Sequence, residues 1–122
     1  MEVRFARHTQ RLDELVRFYR DGLGLPELGR FNDHHGYDGV FLAIPGTAAH
    51  LEFTSGGVHP PPSAHPETLL VLYLGSEDAV AGLCERVGAE PVAAANPYWA
   101  EHGVTIVDPD GFPVVLVPEH WP

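Results

Sequence analysis

The feature that most constrains the fold of this chain is an internal repeat at an offset of 64 residues. Residues 12–26 align with residues 76–90, and residues 39–46 align with residues 103–110 at the same offset. The matches are mainly of residue class, with acids over acids, aliphatic residues over aliphatic residues and glycines over glycines. One such match can arise by chance, but the same offset at two separated places indicates two related halves.

The first half predicts one helix and four strands. Leu12, Leu15, Val16 and Tyr19 recur at helical spacing, which predicts a helix over residues 11–22. Strands are expected at residues 3–8, 27–32, 38–44 and 48–54.

The second half repeats this order. Val80, Leu83, Cys84 and Val87 form the apolar face of its predicted helix. The expected elements are a strand at 68–74, a helix at 76–87 and strands at 89–93, 103–108 and 112–117. Each half is therefore expected to be a β-α-β-β-β module.

A Gly/Pro-rich segment, residues 56–66, joins the two modules. It is predicted to be a linker, because no regular element can cross its prolines, and His59 and His65 beside them are expected to be exposed. The expected fold is α+β: a single domain, residues 1–122, made of tandem modules 1–55 and 67–122. One helix covers only one face of a four-stranded sheet, so the open faces are expected to form a cup-shaped mixed sheet around a shared ligand cleft.

The charge distribution argues against some partners. The chain carries a formal net charge of −10, and its seven basic residues are all arginine. A surface this acidic repels phosphate backbones and anionic lipids, so neither nucleic acid nor membrane is an expected partner. The single cysteine, Cys84, cannot form an internal disulfide, and no apolar run is long enough for a membrane span. We therefore expect a soluble, cytoplasmic protein.

Three sequence blocks resemble one known superfamily. Residues 18–25 (FYRDGLGL), 50–54 (HLEFT) and 108–111 (DPDG) are similar, in this order, to signature segments of the vicinal oxygen chelate superfamily. That superfamily includes glyoxalase I, bleomycin-resistance proteins, fosfomycin-resistance enzymes and extradiol dioxygenases. The blocks FNDHHGYDG, HLEFT and NPYW are similar to one glyoxalase-like branch of it. The resemblance implies the tandem-module fold and a homodimer, and it leaves the chemistry open, because this superfamily hosts many reactions.

The resemblance also implies four inward-facing metal ligands, one from the first and one from the last strand of each module. Aligned on the signature segments, these positions hold Arg4, Glu52, Thr68 or Leu69, and Val115. Of these, Glu52 is the usual kind of ligand for a divalent cation, whereas arginine is always cationic. We therefore expect the usual metal site to be lost, with an ion pair between Arg4 and Glu52 in place of the metal.

The first module also predicts a different polar site. His50 and Glu52 lie two residues apart on one strand and share a face, as do Arg4 and His8 on the first strand. If these strands are neighbours, as the superfamily topology implies, the four side chains converge, and either His34 or His35 reaches the mouth of the site from its loop. His50 and Glu52, with His8 or His35, would then supply ligands for a non-standard divalent-metal site. A hydrogen-bonded network without metal is the alternative.

The segment Asn96-Pro97-Tyr98-Trp99 places two large aromatic side chains in a predicted loop. Tyr98 and Trp99 are predicted to stack on a ligand or, alternatively, to anchor the loop or a dimer interface. His102 follows three residues later and faces either the ligand or solvent.

Three function hypotheses follow from these residues. The first is a protein that binds a small organic molecule without a metal, in which Tyr98 and Trp99 stack on the molecule and Arg4, His50 and Glu52 hold its polar end. The second is an enzyme of the lyase, isomerase or dioxygenase type, with Glu52 or His50 as general base and Arg4 stabilising an oxyanion. The third is a non-catalytic interaction module, which a cleft filled by side chains would favour. No cofactor is expected, although a divalent metal stays open in the second hypothesis.

Overall fold

The computed structural model describes all of residues 1–122, which divide into two compact units, Met1–Ser63 and Ala64–Pro122. The division falls inside the predicted linker. Each unit combines one sheet with helices, so the fold is α+β. Both units begin with a strand and a helix and end with antiparallel strands, as the internal repeat predicts, but the second unit has one strand fewer and one additional helix.

The first unit contains a four-stranded sheet and one helical stretch. Its elements are β1 (Val3–His8), α1 (Leu12–Val16), a π-helical segment (Arg17–Gly22), β2 (Glu27–His34), β3 (Tyr37–Ala43) and β4 (Ala49–Gly56). The strands lie in the order β1-β4-β3-β2, with β1 parallel to β4 and the other neighbours antiparallel. The first and last strands of the unit are therefore neighbours.

The helical stretch of this unit buries the face that its apolar spacing predicts. Leu15 and Tyr19 are buried, and the Tyr19 ring packs 4.8 Å from the ring of Phe53 on β4. After Val16 the helix widens into the π form, which corrects the prediction of one regular helix over residues 11–22. One wider turn leaves the apolar side chains on the same side, so spacing alone does not distinguish the two helix types.

The second unit contains a three-stranded sheet and two helices. Its elements are β5 (Leu70–Tyr73), α2 (Glu77–Val87), α3 (Pro97–His102), β6 (Val104–Val107) and β7 (Pro113–Val117). The strand order is β5-β7-β6, with β5 parallel and β6 antiparallel to β7. Ser76 caps the start of helix α2, because its hydroxyl accepts a hydrogen bond from the Ala79 N–H. The helix ends before Gly88, which has a left-handed conformation.

The predicted strand at residues 89–93 does not form. It is reduced to a single bridge between Val92 and Thr105. Pro91 has no N–H and cannot donate to a β-ladder, which limits strand pairing in this segment.

The predicted loop that carries Tyr98 is instead the start of α3. Asn96 caps this helix, because its Oδ1 accepts a hydrogen bond from the Tyr98 N–H at 3.0 Å. Pro97 occupies the first helical turn, where its missing N–H is not needed. The segment therefore combines two helix-start signals that outweigh its loop-like composition.

The central strand of the second sheet is covered on both faces, since all five residues of β7 are buried. Alternation puts Val114 and Leu116 on one face and Pro113 and Val115 on the other. Thr105 of β6 lies opposite Val115 and shares its face. None of the helices is long and apolar enough to span a bilayer.

Candidate functional site

A pocket of about 270 Å³ opens on one face of the second sheet, within the second unit. Thr105, Pro113 and Val115 form its floor, and all three are buried. Leu69, which precedes β5, and Val107 of β6 extend the same surface. The regular alternation of the strands therefore turns one side of this sheet into a concave, largely aliphatic surface.

The wall of the pocket comes from the chain between α2 and β6. Residues 92–96 line this side, and the Val92 N–H holds the segment to the sheet by donating to the Thr105 carbonyl at 2.8 Å. Trp99 of α3 adds an aromatic surface. No Asp, Glu or Arg side chain lines the pocket, and its ionisable side chain is His65, whose Nδ1 accepts a hydrogen bond from the Glu67 N–H at 3.1 Å.

Thr105 lies at the floor of the pocket, and its hydroxyl is buried without a hydrogen-bond partner. The residue is only 6% exposed, so bulk water does not solvate this group freely. Leaving a buried hydroxyl unpaired costs about 1–3 kcal/mol. Such a group marks a place where a ligand or an ordered water supplies the missing partner.

Helix α3 separates the two aromatic residues that the sequence predicts as a stacking wall. Trp99 lines the pocket, whereas Tyr98 does not and is 49% exposed. The Tyr98 ring stacks on the His102 ring at 4.0 Å, and His102 Nδ1 lies 2.7 Å from the Tyr98 carbonyl oxygen. Tyr98 and His102 therefore contact each other on the helix surface.

A polar cluster lies on the first sheet, on the face opposite Phe53 and the helical stretch. Arg4 pairs with His50 in the β1–β4 register, and its Nε donates to His50 Nε2 at 2.9 Å. The Arg4 guanidinium also lies 3.9 Å from the Glu52 carboxylate and 4.6 Å from the centre of the Phe41 ring. Because His50 Nε2 accepts a hydrogen bond, the neutral ring carries its proton on Nδ1. The structure thus brings Arg4, His50 and Glu52 together, while their functional roles stay predictions.

Two further histidines of the predicted site lie elsewhere in the first unit. His8 pairs with Thr54, beyond Glu52 along β4, and its ring lies 5.0 Å from the ring of His59. His35 lies exposed in the tight turn between β2 and β3, with a φ of 52°. The structure therefore places neither of them in the cluster around Arg4.

Two domain profiles match this chain. The YycE-like N-terminal domain matches residues 3–54, and the YycE-like C-terminal domain matches residues 67–118. The chain belongs to the YycE-like family. The YycE protein of Bacillus subtilis strain 168 is 42% identical over 120 residues, which cover 95% of this chain and 86% of that protein.

Solved structures share the fold of this YycE-like chain. A crystal structure of a YycE protein of unknown function from Bacillus subtilis, named as a candidate glyoxalase/fosfomycin resistance protein, has a TM-score of 0.92 at 41% identity and covers 99% of this chain and 91% of that one. Glyoxalase I of Leishmania major has a TM-score of 0.72 at 21% identity, over 98% of this chain and 86% of that one. An antibiotic-binding protein from Streptomyces sp. CB03234 has a TM-score of 0.70 at 22% identity, over 98% and 96%. The resemblance to the glyoxalase and antibiotic-resistance proteins is therefore confirmed, and at these lower identities it shows the fold alone.

At three of the four metal positions that the resemblance implies, this YycE-like chain carries no usual ligand for a divalent cation. Arg4 presents a guanidinium beside Glu52, so a cation already stands at the first position. Leu69 and Val115 line the apolar pocket, and their side chains carry no donor atom. The chemistry proposed below therefore uses protein side chains alone.

The alternative metal ligands predicted in the first unit, which are His50 and Glu52 with His8 or His35, do not lie together either. No group of three or more His, Cys, Asp or Glu side chains is placed to hold a metal ion. His8 lies two strand positions beyond Glu52 and four beyond His50 in the β1–β4 register, roughly 7 and 13 Å along the strand. His8, His50 and Glu52 therefore share a face of the sheet but lie too far apart along the strands to bind one metal ion.

The sequence analysis missed Thr105, although the repeat contains a signal for it. At the offset of 64, Thr105 aligns with Phe41, which lies against Arg4 in the first unit. Equivalent positions of a duplicated module share a sheet face. The aligned block 103–110 already contains Thr105, but the alignment does not show which of its residues are buried, so it marks the sheet face and not the site residue.

Proposed function

We propose that this YycE-like chain binds a small organic molecule in the pocket of its second unit. The observation that carries the proposal is the buried, unpaired Thr105 hydroxyl at the floor of that pocket. Small-molecule sites commonly combine a concave apolar surface with a few polar groups that orient the ligand. Trp99 supplies the large aromatic surface that the sequence predicts for such a site.

The free volume of the pocket favours small-molecule binding over the function of a non-catalytic interaction module. A cleft filled by its own side chains would favour an interaction module, whereas this pocket has about 270 Å³ of free space. An antibiotic-binding protein shares this fold, which supports small-molecule binding as a function of this chain.

Naphthalene is a suitable first probe, because it is apolar and small. The chain has two tryptophans: Trp99 lines the pocket, whereas Trp121 does not and is 72% exposed. In nitrogen–proton correlation spectra we expect naphthalene to shift the indole signal of Trp99 and to leave that of Trp121 in place. Trp99→Leu should weaken binding roughly tenfold through the lost aromatic contact, whereas Trp121→Leu, the matched control, should not. Unchanged pocket signals up to the solubility limit of naphthalene would show that the proposal is wrong.

A second candidate function is supported by the polar cluster of the first unit. Glu52 is largely buried, with 14% of its side chain exposed, and it lies beside the Arg4 guanidinium. This arrangement has the parts of a proton-transfer site: a carboxylate as general base and a cation that can stabilise the resulting oxyanion. The cluster therefore favours an enzyme that removes a proton from a carbon acid.

Deuterium exchange distinguishes the two functions. The uncharged ketone 2-indanone is incubated with the protein in heavy water, and exchange at its acidic carbon is followed by NMR. If the chain is an enzyme of this kind, Glu52→Gln and His50→Ala should abolish exchange and leave naphthalene binding intact. If exchange with the wild type equals that in buffer, simple binding is favoured.

We also propose that the usual metal site of the superfamily is lost. The support is the residue set, since three of the four ligand positions hold Arg4, Thr68 or Leu69, and Val115. Elemental analysis of protein purified without chelators should find far less than one equivalent of divalent metal. One equivalent bound at high occupancy would contradict this part of the proposal.

We further propose that the chain forms a homodimer. Val3 and Phe5 are 52% and 60% exposed on β1, which lies at one edge of the first sheet. Apolar side chains on an edge strand favour contact with a second surface.

A further inference from the structure

The lining of the second-unit pocket limits the charge of its ligand. No Asp, Glu or Arg side chain lines it, and its floor is made by Thr105, Pro113 and Val115. The ionisable side chain in the lining is His65, whose Nδ1 already accepts a hydrogen bond from the Glu67 N–H at 3.1 Å. A charged ligand group that entered this surface would lose its hydration without gaining a partner of fixed opposite charge. The pocket therefore favours an uncharged molecule.

The volume of the pocket sets the size of that molecule. An engineered cavity of about 150 Å³ in another protein holds one benzene ring. The pocket here is about 270 Å³, close to twice that size. Together with the Trp99 surface, this points to a flat molecule of about two fused rings.

The floor of the pocket sets the position of one polar atom. Thr105 Oγ1 is buried without a partner, and its register neighbour across the sheet is the aliphatic Val115. A hydroxyl both donates and accepts hydrogen bonds, so either a hydroxyl or a carbonyl oxygen on the ligand satisfies it. A ligand with such an oxygen removes the cost of the unpaired group, which a pure hydrocarbon does not.

We propose that the pocket recognises an uncharged, two-ring aromatic molecule with one hydroxyl or carbonyl group, whose oxygen pairs with Thr105 Oγ1. This inference rests on the proposed function, because it names the class of ligand for the same pocket. Trp99 provides the stacking surface, and Thr105 selects the polar group.

Three matched probes test the proposal on the full chain: 2-naphthol, naphthalene and 2-naphthoate. They share the same ring system and differ in carrying a hydroxyl, no polar group or a carboxylate. Affinities are measured by titration of the amide signals of the pocket residues. We expect 2-naphthoate to bind at least tenfold more weakly than 2-naphthol, because no arginine lines the pocket to pair with its carboxylate.

The decisive variant is Thr105→Val, which keeps the branched shape of the side chain and removes the hydroxyl. It should weaken 2-naphthol binding roughly 3- to 10-fold, the range for one net hydrogen bond, and change naphthalene binding less than about twofold. Thr54→Val is the matched control, because Thr54 lies on β4 of the first sheet and does not line the pocket. It should leave both affinities unchanged.

The outcomes separate this inference from the proposed function. If Thr105→Val binds 2-naphthol as tightly as the wild type, or if 2-naphthoate binds as well as 2-naphthol, the ligand class is wrong although the pocket still binds small molecules. If the three probes all leave the pocket signals unchanged, the proposed function itself fails. If Thr105→Val weakens naphthalene and 2-naphthol equally, the residue acts through packing and not through its hydroxyl, which also overturns the inference.

Discussion

Glu27 accepts hydrogen bonds from two arginines of the first unit. Its carboxylate accepts from Arg30 at 2.6 and 3.0 Å and from Arg20 at 2.8 Å. These bonds, that from Arg30 foremost and then that from Arg20, lower the pKa of Glu27 to about 2. Because Arg20 lies in the π-helical segment and Glu27 begins β2, the cluster joins two elements that are separate in the chain.

Replacement of Glu27 should therefore have a pH-dependent effect on stability. A depressed pKa stabilises the folded state above the unfolded pKa of about 4.5, and this contribution is lost as the pH falls towards the folded value of about 2. Glu27→Gln should lower the free energy of unfolding by about 1 kcal/mol at pH 7, a value reduced by solvent screening of the partly exposed arginines. The deficit should shrink between pH 4.5 and 2, measured by urea unfolding across this range. Glu14→Gln, which removes an exposed pair with Arg11 at 3.7 Å, is the control and should cost less. An equal deficit at both ends of the pH range would contradict the argument.

Among the secondary-structure elements, α2 offers two glycines whose conformations differ. Gly88 follows the helix with a φ of 69°, whereas Gly82 lies within it, and a Cβ at either position would meet no atom within 4 Å. A Cβ therefore fits equally well at both positions, and the two glycines differ only in their backbone conformation. Gly24, which aligns with Gly88 in the repeat, also has a positive φ, of 79°.

Alanine at these two positions should have effects of opposite sign. Gly88→Ala should lower the free energy of unfolding by about 1 kcal/mol, because the left-handed conformation strains a residue with a Cβ. Gly82→Ala should raise it by about 0.5–1 kcal/mol, because alanine loses less backbone entropy in a helix. Thermal unfolding of both variants checks this, and a stabilising Gly88→Ala would count against the assigned helix end.

The cap of α3 should matter for binding as well as for stability. Asn96→Ala removes the bond to the Tyr98 N–H and should cost about 1 kcal/mol of unfolding free energy. Since α3 carries Trp99 and Asn96 itself lines the pocket, the variant should also weaken naphthalene binding. Ser76→Ala removes the equivalent cap of α2, away from the pocket, and should cost similar stability without affecting binding. Equal binding by both variants would show that the cap does not position Trp99.

The elements that the sequence predicted best are those with strong periodicity. Alternation identified β1, and helical spacing identified α2 to within one residue at its start. Periodicity failed where one local group decides the structure: Pro91 prevents a ladder at 89–93, and Asn96 starts a helix too short to show a period. The same holds for the candidate site residues. Strand alternation predicted that Arg4, His50 and Glu52 lie together, whereas the burial of Thr105 depends on contacts with residues distant in sequence.

For the whole molecule, the proposed homodimer makes a testable prediction about mass. Sedimentation velocity at micromolar concentration should give about twice the chain mass of 13.3 kDa. Phe5→Glu places a charge on the exposed apolar part of β1 and should shift the distribution towards the monomer. Glu2→Gln, which removes one charge near the same strand, is the control and should leave the dimer intact. A wild-type protein that sediments as a monomer would rule out the dimer at this concentration.

The single bridge between Val92 and Thr105 replaces a strand pairing that the first unit retains between β2 and β3. Residues 93–95 are consequently free of ladder bonds, yet they line the pocket. A stretch of this kind tolerates substitution and insertion far better than a paired strand. Substitutions and insertions at residues 93–95 should therefore reshape the pocket while the paired strands of the same unit keep their hydrogen bonds.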